Sequence, residues 1–410
     1  MTPSLAVLLA LGAGGFTFGW TTVRSGGQPD AAVAHAYRSF TERSYFRGLD
    51  GLRAISVVAV LWCHLTGVHQ LDLLNQGNKG VQLFFAISGF LVTTLLLRER
   101  RRTGQVCLRS FYIRRTLRIF PLYFAVLALY CVLVFATMRG TPKAAEFWQN
   151  LPAFATYTSN WFVSVENGAD HGVTFYFAWS LATEEQFYLF WPPLLAWALA
   201  AGRRAWMPAV VATGLLALQA MASEISGGST GTAIGSGLLV TAVASLAPPI
   251  LYGAVLAVLL DHRPAFNVLA PALGHRLAPA VFALFLLSCL QLDAPGLLTG
   301  LVMALLVASV CLRQDSVLHP VLDWQPMAHV GTISYGIYLM HMLAANAIRK
   351  VVGQQMGLAV FLGTVALSIT IATLSHRWFE TPVMKLRSRF TGASQPNAAA
   401  APVPARVQAS

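Results

Sequence analysis

Long apolar runs govern what this chain can become. Crossing about 30 Å of hydrocarbon takes a helix of about 17 to 25 mainly apolar residues. Runs of that kind recur near 52–70, 80–97, 119–138, 175–199, 205–222, 236–260, 279–293, 296–312, 330–348 and 357–376. The chain's 410 residues are 56% hydrophobic and only 11% charged, outside the usual composition of soluble domains. The expected fold class is therefore an all-α integral membrane protein, a bundle of about ten transmembrane helices.

The net charge of +12 does not make the chain a nucleic-acid binder, because the basic residues punctuate apolar runs instead of clustering on one solvated face. They read as positive flanks of membrane helices. "RERRRTGQVCLRSFYIRRTLR" between the second and third runs is the densest, and belongs in the cytoplasm. "AGRRAW", "DHRPAF", Arg313 and the basic "MKLRSRF" then fall inside, while "SEISGGSTGTAIGSG" falls outside; Arg349 and Lys350 are exceptions. Ten spans with both ends of the core, and so the C-terminus, in the cytoplasm is the reading that fits.

Residues 1–43 form a separate N-terminal part. The run at 4–23 lacks a basic leader and a clear small-residue cleavage site, which argues against a cleaved signal peptide; with Arg24 behind it, an extra transmembrane helix with its N-terminus outside is preferred over a peripheral or non-native leader, and the linker "RSGGQPDAAVAHAYRS" follows. Residues 44–388 make the membrane domain, and 389–410 read as a disordered cytoplasmic tail. The aromatic stretch "FWQNLPAFATYTSNWF" suits an interfacial segment on the outer face. Five cysteines show no zinc spacing, and no Walker loop or dinucleotide fingerprint occurs, so neither a metal nor a bound nucleotide is expected.

Four polar clusters interrupt the runs, where ionisable groups are costly and usually functional or paired. In "FRGLDGLRAISVVAVLWCH", Arg53 and His64 are eleven positions apart, which returns them to within about 20° of one helix face at a rise of about 16 Å. Arg47 and Asp50 precede them at a spacing that suits a pair. A neutral imidazole here can take a proton from an alcohol, or simply join a neighbouring helix. In "FAWSLATEEQFYLFW", Ser180, Glu184 and Tyr188 form one stripe, with Glu185 turned about 100° away. In "ISYGIYLMHM", Ser334, Tyr338 and His341 share a face suited to hydrogen bonding between helices. In "FYIRRTLRIFPLYF", Arg114, Arg115 and Arg118 stack on one side, fit for phosphate or for anionic lipid. Ser88 and Gly89 break an apolar run and permit close helix approach.

In order along the chain, these segments resemble the membrane acyltransferase 3 family, O-acyltransferases of bacterial surface glycans and related substrates. The resemblance covers about residues 44–386 and rests on "FRGLDGLRAISVVAVLWCH", "GVQLFFAISGFL", "FYIRRTLRIFPLY", "WSLATEEQFYLFWP", "ISYGIYLMH" and "FETP". It implies a catalytic role for His64 supported by Arg53, donor binding by Arg115 and Arg118, and functional roles for Glu184 and for Ser88 to Leu91. Tyr338 and His341 match more loosely and stand as supporting residues, with Asp50, Ser180 and Tyr188.

The implied reaction moves an acyl group, acetyl by default, from acyl-coenzyme A to a hydroxyl of a carbohydrate or glycolipid acceptor, with Glu184 or Arg53 fixing the imidazole. Coenzyme A is a co-substrate, and no cofactor is permanently bound. Some family members carry a C-terminal esterase-like domain outside the membrane; without one, the chain is expected to act alone, with a separate extracytoplasmic partner, or on a small or lipid-linked acceptor. The rival readings are a proton-coupled transporter and a flippase for lipid-linked glycans, although no inverted repeat supports transport.

Overall fold

The computed structural model describes residues 29–43, 45–66, 76–163, 174–200, 207–225 and 237–386. The apolar run at 4–23, "AGRRAW", most of "SEISGGSTGTAIGSG" and the tail from 389 lie outside the described residues. Helix follows helix, with no strand among the described residues.

Part of the expected linker is itself a helix, α1 (Pro29–Glu42). Its Val33, Ala36, Tyr37 and Phe40 recur at helical spacing and pack into the core. It is pinned from below by Arg98, whose guanidinium donates to the Phe40 and Arg43 carbonyls and stacks 4.4 Å from the Phe46 ring centroid. Arg43 in turn donates to the Cys311 carbonyl at 2.9 Å.

Helices α2 (Leu49–Leu65), α3 (Gly80–Thr103) and α4 (Leu108–Thr137) follow. The aromatic stretch forms α5 (Pro142–Ala155), begun by a Thr141 cap with proline in its first turn, and the single turn α6 (Ser159–Phe162). Then come α7 (Ala178–Ala198) and α8 (Met207–Ile225). The run at 236–260 is broken into α9 (Leu238–Ala244) and α10 (Pro248–Asp261), bent by 61°. Pro248 and Pro249 cannot donate to a preceding turn, which explains the break. A second bent pair, at 75°, joins α11 (Arg263–Leu273) to α12 (Ala278–Gln291). The remainder is α13 (Gly296–Leu312), the short α14 (His319–Leu322) and α15 (Gln325–Thr332), α16 (Ser334–Val352), α17 (Leu358–Ser375), a π turn at His376–Glu380 and α18 (Thr381–Lys385).

Each of the ten apolar runs contains a helix, but fewer are membrane spans by their own length and composition. Among the described residues four qualify, and up to six if each bent pair is one span. Helices α2 and α13 have only 17 residues, and α7 and α16 carry the polar stripes that lower their apolarity. The lipid-facing character shows elsewhere. On α4, Val132 and Phe135 are 63% and 59% exposed, an arrangement that hydrocarbon accepts without the penalty of about 25 cal/mol per Å² that water imposes.

Helix α3 is the centre of the bundle. Phe85 and Val92 face one apolar core with α2, α4, α7 and α16, while Ile87 and Phe90 face a second with α1, α10 and α13. Its contact with α10 is backbone against backbone. A Cβ at Gly89 would lie 1.8 Å from the Ile250 carbonyl oxygen, and one at Gly253 2.4 Å from that of Ala86. On another side, buried Trp191 of α7 donates its indole N–H to Thr93 Oγ1 at 2.8 Å.

Candidate active site

The polar stripes predicted separately meet inside this bundle. Ser180 Oγ of α7 and the Tyr338 hydroxyl of α16 lie 2.6 Å apart, and both residues are buried. Both line a cavity of about 110 Å³ between α2, α3, α4, α7, α16 and the end of α15. Its polar lining comes from Arg53, Ser88, Arg115, Arg118, Glu184 and Glu185; Phe84, Phe85, Leu91 and Val92 give it an apolar wall.

The arginines are held in different ways. Arg53 Nη1 donates to Asp50 Oδ1 at 2.6 Å, one helical turn away. Asp50 is therefore the partner of Arg53, and Arg47 lies instead 3.6 Å from Asp323. The Tyr45 hydroxyl donates to the other Asp50 oxygen at 2.6 Å. Tyr45 precedes α2, and its partial burial, reinforced by the Asp50 hydrogen bond and charge, pushes its phenol above the ordinary tyrosine value. Arg115 sits with its guanidinium carbon 3.6 Å from the Tyr188 ring centroid, a cation–π contact. Its Nε is buried without a hydrogen-bond partner. Arg118 lines the same cavity. Arg114 does not: it pairs with Glu99 at 2.7 Å, so the expected stack of three is a cavity pair plus one structural arginine.

The carboxylates also depart from expectation. Ser88 Oγ donates to Glu184 Oε1 at 2.5 Å. Glu185, read as turned away, lines the cavity beside it. Neighbours on α7 differ by about 100°, and a cavity lined from six helices spans that arc. The signal lay in the adjacent pair "EE" within one apolar run, since a second buried carboxylate rarely goes unused.

One turn after Tyr338 on α16 comes His341, half of a histidine pair. His64 Nδ1 and His341 Nε2 are 3.3 Å apart, with rings nearly parallel and centroids 5.4 Å apart. Tyr176 meets the His64 ring edge-on at 5.9 Å. His341 is fully buried, and its Nδ1 lies 2.5 Å from the Tyr338 carbonyl oxygen. His341 is thus a group at the His64 imidazole, whereas Glu184 is engaged by Ser88 and Arg53 by Asp50. Ser334 lines the cavity with Tyr338, one turn before His341 on the same helix. The arginines line the cavity, whereas His64 lies eleven residues after Arg53 on α2, about 16 Å along its axis.

Comparison with known proteins bears on this arrangement. A family model described as an acyltransferase domain matches residues 46–377. The peptidoglycan O-acetyltransferase OatA of Listeria monocytogenes is 28% identical over 84% of this chain and 56% of its own length. The Bacillus subtilis protein YrhL, provisionally named a peptidoglycan O-acetyltransferase, is 30% identical over 85% of this chain and 56% of its own. A Staphylococcus aureus (strain COL) protein provisionally named an O-acetyltransferase is 28% identical over 85% and 59%. The chain thus spans less than three fifths of the length of these curated relatives. No solved structure matches it.

Proposed function

This chain belongs to the acyltransferase-domain family, and from that premise we propose that it moves an acetyl group from acetyl-coenzyme A to a hydroxyl of a cell-surface carbohydrate or glycolipid. One observation carries the donor assignment. Arg115 and Arg118 line a cavity inside the bundle that also has an apolar wall, and Arg115 Nε is buried without a partner. Guanidinium groups recognise phosphate through short charge-assisted hydrogen bonds, while the apolar wall suits a pantetheine arm.

In this reading the thioester enters from the arginine end and its carbonyl reaches the Ser180–Tyr338 pair, one turn from the histidines. His64 accepts the proton of the acceptor hydroxyl as the oxygen's electron pair forms the new bond to the thioester carbonyl carbon. The carbon–sulfur bond breaks, and the sulfur leaves with the proton returned by His64. Arg53, about 16 Å along α2 from His64, adds positive charge at the donor end of the cavity, where the phosphates of coenzyme A are held. Coenzyme A acts as a co-substrate, and the acceptor approaches from the histidine end. The arginine-rich ends of α3 and α4 then face the cytoplasm under the positive-inside rule. This gives ten crossings of a bacterial inner membrane, a cytoplasmic C-terminus and scope for a separate partner on the acceptor side. The α2, α7, α13 and α16 helices complete that count by sheltering their polar or short segments within the bundle.

The test is transfer of label from radiolabelled acetyl-coenzyme A to a mixture of glycan acceptors by the full chain in lipid nanodiscs, beside His64→Ala and Arg118→Ala. The reading expects no transfer by the His64 variant and a raised donor requirement for the Arg118 variant. Full transfer by both variants would refute the roles given to these residues.

A further inference from the structure

The His64 imidazole can work as a base only through a nitrogen that carries a lone pair, and a neutral imidazole has one such nitrogen. Which nitrogen it is depends on the hydrogen bond made by the other. The geometry fixes this from the inside outward. The Tyr338 carbonyl oxygen can only accept, so His341 Nδ1, 2.5 Å away, carries its proton and donates. His341 Nε2 then holds the lone pair. It faces His64 Nδ1 at 3.3 Å, so Nδ1 of His64 carries the proton and donates to His341. The lone pair of His64 is left on Nε2.

We infer that His341 is a positioning residue for the acyl-transfer reaction, holding His64 in the tautomer whose Nε2 takes the acceptor proton. This rests on the proposed function, and adds to it an orienting group of a different chemical kind from those foreseen. Glu184 is the carboxylate the sequence offers for that task, but it is taken by Ser88 at 2.5 Å. Arg53 is taken by Asp50 at 2.6 Å. A second neutral imidazole, fully buried, does the orienting, and its own tautomer is set by main-chain carbonyl of the same helix. The arrangement is rigid because three contacts meet at Tyr338. Its carbonyl accepts from His341, its hydroxyl pairs with Ser180 at 2.6 Å, and its ring packs edge-on to Phe177 at 5.9 Å.

The step balances without any further reactant. The acceptor O–H bond breaks and its proton passes to Nε2 of His64. The freed electron pair forms the ester bond, and the proton later leaves with the thiol of coenzyme A. His341 keeps its Nδ1 proton throughout, and the Nδ1–H···Nε2 bond between the rings strengthens while His64 is positively charged, because the donor is then ionised.

Two measurements on the full chain in nanodiscs decide the matter. The first is nitrogen NMR of ring-labelled histidine, with the His64 resonances identified as those lost in His64→Ala. Wild-type protein should show His64 protonated at Nδ1 and bare at Nε2, and His341→Ala should lose that preference. The second is the separation of kcat from KM for acetyl-coenzyme A. His341→Ala should lower kcat by about 10- to 100-fold, part of what a positioned base contributes, with donor KM within about twofold. His341→Gln, whose side-chain oxygen can accept from Nδ1–H, should recover at least a third of the lost rate on a logarithmic scale. A wild-type His64 protonated at Nε2 would overturn the inference even if the alanine variant fails to fold. So would a folded His341→Ala enzyme with unchanged kcat. If instead His64→Ala itself transfers label normally, it is the proposed function that fails.

Discussion

Replacing Gly89 by alanine should separate the packing of α3 from its chemistry. The added Cβ would lie 1.8 Å from the Ile250 carbonyl oxygen, about 1.6 Å short of the 3.4 Å at which ordinary contact begins. The obstacle is main chain, so no side-chain rotation relieves it. Helix α10 must retreat, and the reciprocal contact of Gly253 with the Ala86 carbonyl opens with it. Overfilling a packed interior costs about 1–3 kcal/mol, whereas alanine's better helix propensity returns about 0.5–1 kcal/mol. The net loss is about 0.5–2 kcal/mol. The control is Gly214→Ala in α8, where an added Cβ meets nothing within 4 Å and the propensity gain should appear alone. Thermal unfolding followed by tryptophan fluorescence in one detergent ranks the three proteins. The reasoning expects Gly214→Ala at or above wild type and Gly89→Ala clearly below it; a Gly89→Ala midpoint equal to wild type would refute the close-contact argument. Activity should fall too, because Ser88 next to Gly89 holds Glu184.

Three further changes test other parts of the site. Arg114→Ala should leave the donor KM within about twofold, since Arg114 pairs with Glu99 outside the cavity, whereas Arg115→Ala should raise it about 10- to 100-fold if it removes one charge-assisted contact to phosphate; steady-state kinetics with varied acetyl-coenzyme A reads both. Asp50→Asn should cost about 1–2 kcal/mol after allowing for partial screening, because it weakens the contacts to both Arg53 and Tyr45. In the double variant with Arg53→Gln, chemical unfolding should show less than the sum of the two single losses. Trp191→Phe should destabilise by about 1–3 kcal/mol, as it removes the donor to Thr93 in the buried contact between α7 and α3, and the unfolding midpoint checks it.

The helices were legible because a 3.6-residue period and a length set by hydrocarbon thickness leave few alternatives. The stripes Ser180–Glu184 and Ser334–Tyr338–His341 were legible for the same reason. Their meeting was not: that Ser180 touches Tyr338, 158 residues away, depends on how α7 and α16 cross, which periodicity along either helix does not encode. Arg114 shows a related limit, because its spacing matches the phosphate-binding reading while a nearby Glu99 claims it. Glu185 shows the converse: helical angle alone excluded a residue that an enclosing cavity includes. The number of spans meets the same limit: a polar helix buried among others can lie at membrane depth without being apolar enough to be recognised alone, so length and composition pick out only four to six of the ten runs among the described residues. Helix α1 was passed over as linker because its apolar stripe has only four members, Val33, Ala36, Tyr37 and Phe40.

That helix changes where the protein may be divided. The family match begins at residue 46, yet Arg98, well inside it, finds its carbonyl acceptors at residues 40 and 43. Trimming to the matched boundary would strand a guanidinium in the interior with its hydration gone and nothing in exchange, a loss felt at the foot of α3. The border drawn by kinship and the border drawn by folding are different lines, and an engineer transplanting this domain should cut ahead of Pro29.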